Sequence, residues 1–112
     1  MKTNSERLTE ISELITRLEK DVPDEIEAFM KFAKLAEKTG AIDAKNKALI
    51  NVALAVSVQC EWCIALHVKG AVDAGATKKE IIEAAMQAVL MHGGPALMYM
   101  IPVENAIAEF MK

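Results

Sequence analysis

The sequence predicts an all-α domain of about six helices, and three observations carry that expectation. Alanine, leucine, methionine, lysine and glutamate, all strong helix formers, dominate every segment. Apolar residues recur every three or four positions, and the alternation of a half-buried strand is nearly absent. Proline, glycine and capping residues stand at helix-length intervals. A chain of 112 residues fits one domain, expected here as residues 1–112 with an N-terminal helix in 1–22 and a core of about 23–110.

The first helix, near Ser5 to Lys20, carries Leu8, Ile11, Ile15 and Leu18 on one stripe. Pro23 suits the first turn of a second helix, which bears Ile26, Phe29, Met30, Ala33 and Ala36 and ends at Thr39-Gly40. Asp43 is the expected N-cap of a third, Ala44 to about Val58, whose apolar residues lie nearly all round from Val52 onward, a pattern that predicts burial. A fourth is expected from about Cys60 to Asp73, stopped by Gly75. Thr77 and Glu80 spell a capping box that opens a fifth, reaching about His92. Gly93-Gly94 breaks the chain, and a last helix runs from Pro95 to Phe110, with Pro102 expected to kink or split it.

Composition narrows the function classes. The net charge of -3 and the scattering of lysines among acids leave no basic face, so no nucleic-acid partner is expected. The longest apolar run, Val52 to Val58, is far short of the roughly 20 residues of a membrane helix, and the polar stretch Met1 to Glu10 is unlike a secretory signal, so a cytoplasmic protein with no membrane partner is expected. Hydrophobic residues make up 53% of the chain, more than so small a helical domain can hide, so homo-oligomerisation is expected.

The chemistry rests on Cys60, Cys63 and His67. At i, i+3 and i+7 these residues fall within a narrow sector of one helix face, at about 100° per residue. A thiol must ionise to attack, and a first-turn position, a second cysteine and an imidazole all favour that. Helix position favours Cys60 as the more acidic thiol, whereas the i+4 relation makes Cys63 the partner of His67. In a reducing compartment such a pair is more often redox-active or metal-binding than a structural staple. A zinc site of Cys60, Cys63, His67 and His92 is the sharper rival, weakened by the lack of a second cysteine pair. Covalent haem attachment needs histidine directly after the second cysteine, and residue 64 is Ile64. No cofactor and no metal is therefore expected.

The run Cys60-Glu61-Trp62-Cys63-Ile64-Ala65-Leu66-His67 resembles the carboxymuconolactone decarboxylase superfamily, specifically its alkylhydroperoxidase D-like (AhpD-like) branch. The resemblance extends over Leu49 to Val58, Gly70, Ala74-Gly75-Ala76, Glu80-Ile81 and Gly93-Gly94-Pro95-Ala96, covering about residues 23–110. It implies an all-helical oligomer (dimer, trimer or hexamer) and a peroxidase or disulfide reductase acting on a hydroperoxide or small disulfide. It also implies that Cys63 is peroxidatic and that Cys60 resolves and accepts electrons from a dithiol or lipoylated protein, with His67 in the proton relay.

One departure from the family pattern falls at Ala48, where the relay usually has a glutamate. A relay carboxylate orients the histidine and stabilises its charged form, so its loss weakens Cys63 as a nucleophile. Glu80, Glu83 or a residue of another subunit are the candidate substitutes; Glu61 is turned about 100° from Cys60 and is not. Two rivals follow: a lactone decarboxylase, against which the cysteine pair counts, and a helical oligomerisation module with a decayed relay. Trp62 is read either as a pocket wall or as a subunit contact, and His92 as a cation at a helix C-terminus.

Overall fold

The structure, a computed structural model, describes residues 2–111. Seven helical segments follow one another: α1 (Asn4–Asp21), α2 (Pro23–Glu37), α3 (Ala44–Ser57), α4 (Glu61–Asp73), α5 (Lys78–His92), α6 (Gly94–Met98) and α7 (Met100–Phe110). No strand occurs among the described residues. Local chemistry explains most boundaries. The Asp43 carboxylate accepts from the Asn46 N–H at 2.8 Å, and Thr77 and Glu80 form the reciprocal capping box, satisfying N–H groups that a helix start leaves without partners.

The expected last helix is two, parted at Tyr99. Pro102 is the third residue of α7, where its missing N–H has no helical partner to lose. Had one helix run through, residue 102 would have had to donate to the Met98 carbonyl. The split resolves that conflict three residues ahead of the proline.

Helices α3, α4, α5 and α7 enclose the core. Helix α3 packs between α4 and α5, α4 also packs on α7, and α1 lies along α4. Val52, Val56, Ile64, Val68, Ile81 and Val103 are fully buried. Alanines at 55, 65, 71, 85, 88 and 106 are buried among them and let the helix axes approach closely. The α1 stripe of Leu8, Ile11, Ile15 and Leu18 is partly buried, as its period predicts.

Helix α2 buries none of its residues. Its Phe29 and Phe32 are 60% and 66% exposed, and on α5 Leu90 and Met91 reach 76% and 77%. The burial expected all round the end of α3 is also incomplete: Val52, Ala55 and Val56 are buried, but Leu54 and Val58 are exposed. These last two border a pocket rather than the core. No helix among the described residues is long and apolar enough to cross a membrane.

Candidate active site

The site begins with a turn. Helix α3 ends in a Schellman arrangement, in which the Cys60 N–H reaches the Ala55 carbonyl at 3.4 Å and the Gln59 N–H the Val56 carbonyl at 3.1 Å. The same motif ends α4, where Ala76 reaches Ala71 and Gly75 reaches Val72. There the left-handed residue is Gly75, at φ 89°; before the site it is Gln59, at φ 56°. A side chain in that region costs about 1 kcal/mol relative to glycine, and no sequence signal marks Gln59 for it. The turn delivers Cys60 directly to the start of α4.

Cys60 is the N-cap of α4, with extended backbone at φ -114° and ψ 110°, rather than part of its first turn as the sequence predicts. It is bonded to Cys63, their Cα atoms 5.2 Å apart. The Cys60 Sγ also accepts from the Cys63 backbone N–H at 3.1 Å. When the bond is reduced, a thiolate at this N-cap faces unpaired N–H groups and the positive end of the helix, both of which favour ionisation.

Cys63 and His67, one turn apart on α4, line a single pocket of about 200 Å³ with Asn51, Leu54, Ala55 and Val58 of the α3 side. Cys60 does not line it. The three residues singled out in the sequence thus lie together, with Cys63 bridging Cys60 on one side and the histidine pocket on the other. No direct hydrogen bond joins Cys63 to His67 among the described residues. Leu54 and Val58, read in the sequence as core, form much of the pocket wall.

Burial pushes the His67 imidazole below its ordinary pKa, and the Glu37 carboxylate pulls it back up. Glu37 closes α2, and the next residue, Lys38, is held to α3 by a 2.7 Å bond from Lys47 Nζ to its carbonyl. The acids weighed in the sequence, Glu80 and Glu83 as candidate partners of His67 and Glu61 as an unsuitable one, are engaged elsewhere or stand apart. Glu80 accepts from Lys45 Nζ at 2.9 Å and from the Thr77 N–H at 2.9 Å. Glu61 pairs with Arg7 at 3.0 Å, and neither Glu80 nor Glu83 lines the pocket. Ala48 packs against the core.

A pH dependence follows. With its folded pKa below the unfolded value of about 6.5, neutral His67 favours the fold above that value, and this contribution is lost as pH falls through the folded pKa. Glu37→Gln removes the one opposing charge, so an NMR titration of the His67 ring is expected to show its midpoint moving to still lower pH. An unmoved midpoint would remove Glu37 from the site.

Helix α1 supplies contacts that sequence periodicity did not reveal. Arg7 Nη2 bonds Glu61, and the Trp62 indole N–H donates to Glu10 Oε1 at 3.0 Å, so both residues between the cysteines are held. Trp62 does not line the Cys63 pocket. His92 is the last residue of α5 and lies outside the Cys63 pocket. No three His, Cys, Asp or Glu side chains gather to hold a metal among the described residues.

Such a helical frame around a Cys-x-x-C turn defines a class. The model of the carboxymuconolactone decarboxylase family matches residues 23–103, and the chain belongs to that family. A Cupriavidus necator protein of uncharacterized function is 37% identical over 104 residues, 93% of this chain and 89% of its own. An uncharacterized protein of the cox locus of Paracoccus denitrificans is 46% identical over 70 residues, which is 62% of this chain and only 63% of that relative. Among solved structures, the apo form of a carboxymuconolactone decarboxylase family protein from Legionella pneumophila superposes with a TM-score of 0.93 at 38% identity, covering 97% of both chains. A Thermotoga maritima protein of the same family, for which involvement in an antioxidative response has been suggested, has the same fold: TM-score 0.83 at 21% identity, over 93% of this chain and 88% of that one.

Proposed function

We propose that the protein is a thiol-disulfide redox enzyme of the AhpD-like branch, reducing hydroperoxides or small disulfides through Cys60 and Cys63. The observation that carries this reading is the Cys60–Cys63 bond, one sulfur of which borders the pocket that His67 shares. In the proposed cycle His67 takes the Cys63 proton. The Cys63 thiolate then attacks one peroxide oxygen, the O–O bond breaks, and the alkoxide receives that proton, leaving an alcohol and a Cys63 sulfenic acid. Cys60 then attacks that sulfur: the S–O bond breaks, the hydroxide leaves as water with the proton that the Cys60 thiol gives up, and the disulfide closes. A dithiol donor, such as a small dithiol or a lipoylated protein, reopens the bond by exchange and is itself oxidised. The Glu37 carboxylate opposes, without reversing, the lowering of the His67 pKa by burial.

The exposed apolar residues of α2 and α5 support assembly with further copies of this chain, since so much apolar surface is unusual on a monomer. A monomeric mass in sedimentation would count against assembly. For the redox reading, the test is to reduce the protein, add an organic hydroperoxide and count free thiols. Two thiols are expected to disappear per peroxide consumed and to return with a dithiol. Thiols that stay reactive while peroxide persists would overturn the assignment.

A further inference from the structure

The N-terminal helix lies outside the span matched by the family model, residues 23–103, yet it holds both residues between the cysteines. Arg7 and Glu10 stand three apart on α1, so they project from one face. Arg7 donates to Asn4 Oδ1 at 3.2 Å and to Glu61 Oε2 at 3.0 Å. Glu10 receives the Trp62 indole N–H and a Lys2 ammonium, which also sits 5.7 Å from the centre of the Trp62 ring. The start of α1 is fixed in turn by Glu109 of α7, which accepts from the backbone N–H groups of Asn4 at 2.9 Å and Ser5 at 2.7 Å.

Stability alone is a poor account of Arg7. Its side chain is only 16% exposed, and its Nε is buried without a hydrogen-bond partner. An unsatisfied buried donor destabilises a fold. What the guanidinium does supply is positive charge against Glu61, the residue that follows Cys60. An unpaired carboxylate there would oppose a thiolate at the α4 N-cap, where the helix end otherwise favours it.

We propose that α1 positions and tunes the dithiol: Arg7 offsets the carboxylate of Glu61, the first residue of α4 after Cys60, and so sets the pH range over which the reduced Cys60 thiol ionises. The other charged or titratable groups around this turn are Lys2 and Glu10 on the α1 side, Glu109 on α7 and the imidazole of His67 on α4; α3 carries no charged residue after Lys47. Arg7 is a positioning residue, since it reaches the sulfur only through Glu61. The proposal rests on the redox reading for its significance, because Cys60 is the thiol that resolves and exchanges there.

The test is the pH profile of Cys60 alkylation by iodoacetamide after reduction with dithiothreitol, with the modified residue located by mass spectrometry. Arg7→Gln is expected to move the profile up by about half a pH unit, in line with a partly exposed ion pair. Glu61→Gln is expected to move it down by a similar amount, and the double variant to return near the parent. A purely structural role for Arg7 predicts no such opposition of sign. Shifts in the same direction, or no shift in Glu61→Gln, would overturn the proposal; Arg7→Lys, which keeps the charge and is expected to leave the profile near the parent, tests the charge of Arg7 if Arg7→Gln does not fold. Alkylation needs no peroxide, so a parent protein that consumes no hydroperoxide would fail the redox reading while leaving this test intact.

Discussion

Replacing Cys63 with serine is expected to abolish hydroperoxide consumption, lowering the rate by about a thousandfold or more, because a hydroxyl in the same pocket does not ionise at neutral pH. The substitution changes one atom on a half-buried side chain, so the fold should survive it. Cys60→Ser should behave differently. Its Cys63 still attacks once, so a single equivalent of peroxide disappears and the sulfenic acid then stalls for want of a resolving thiol. Following peroxide loss with and without a dithiol donor separates the two variants. Sustained turnover by Cys63→Ser would show that the chemistry lies elsewhere.

The second large effect is on stability. Ile64 stands between Cys63 and His67 in sequence, yet it is fully buried and points into the core. Ile64→Ala is expected to cost about 3 kcal/mol, from lost burial and the cavity left behind. For a domain of this size that is a loss of more than about 10 °C in melting temperature. Urea titration followed by circular dichroism measures it. A loss below about 1 kcal/mol would mean that the core under the site collapses onto the vacated space. The value matters for function, because Ile64 is what anchors the α4 turn that carries the thiol and the imidazole.

Much of the helical frame was legible before any coordinates. Asp43, the Thr77–Glu80 pair and Pro23 act within a few residues of where they stand, so their effects are local and can be read from neighbours. The Cys60, Cys63 and His67 set was legible for the same reason, since helical spacing alone brings it together. Leu54 and Val58 were misread because apolar character alone does not say whether a side chain is packed in the core or left exposed on a pocket wall. Gln59 was missed because its left-handed backbone is imposed by the meeting of α3 and α4 and not by its side chain.

The family, the helix order and the grouping of Cys60, Cys63 and His67 at the start of one helix were therefore legible in the sequence alone, through periodicity, capping and the motif around the two cysteines. Tertiary structure decided what surrounds them: that Arg7 and Glu10, more than fifty residues away, grip the step between the cysteines, and that burial lowers the His67 pKa against the opposing pull of Glu37. The physical reason is range. Helical hydrogen bonds tie residues four apart and leave a readable pattern, whereas charges act through space between helices whose meeting is set by the packing of the whole core.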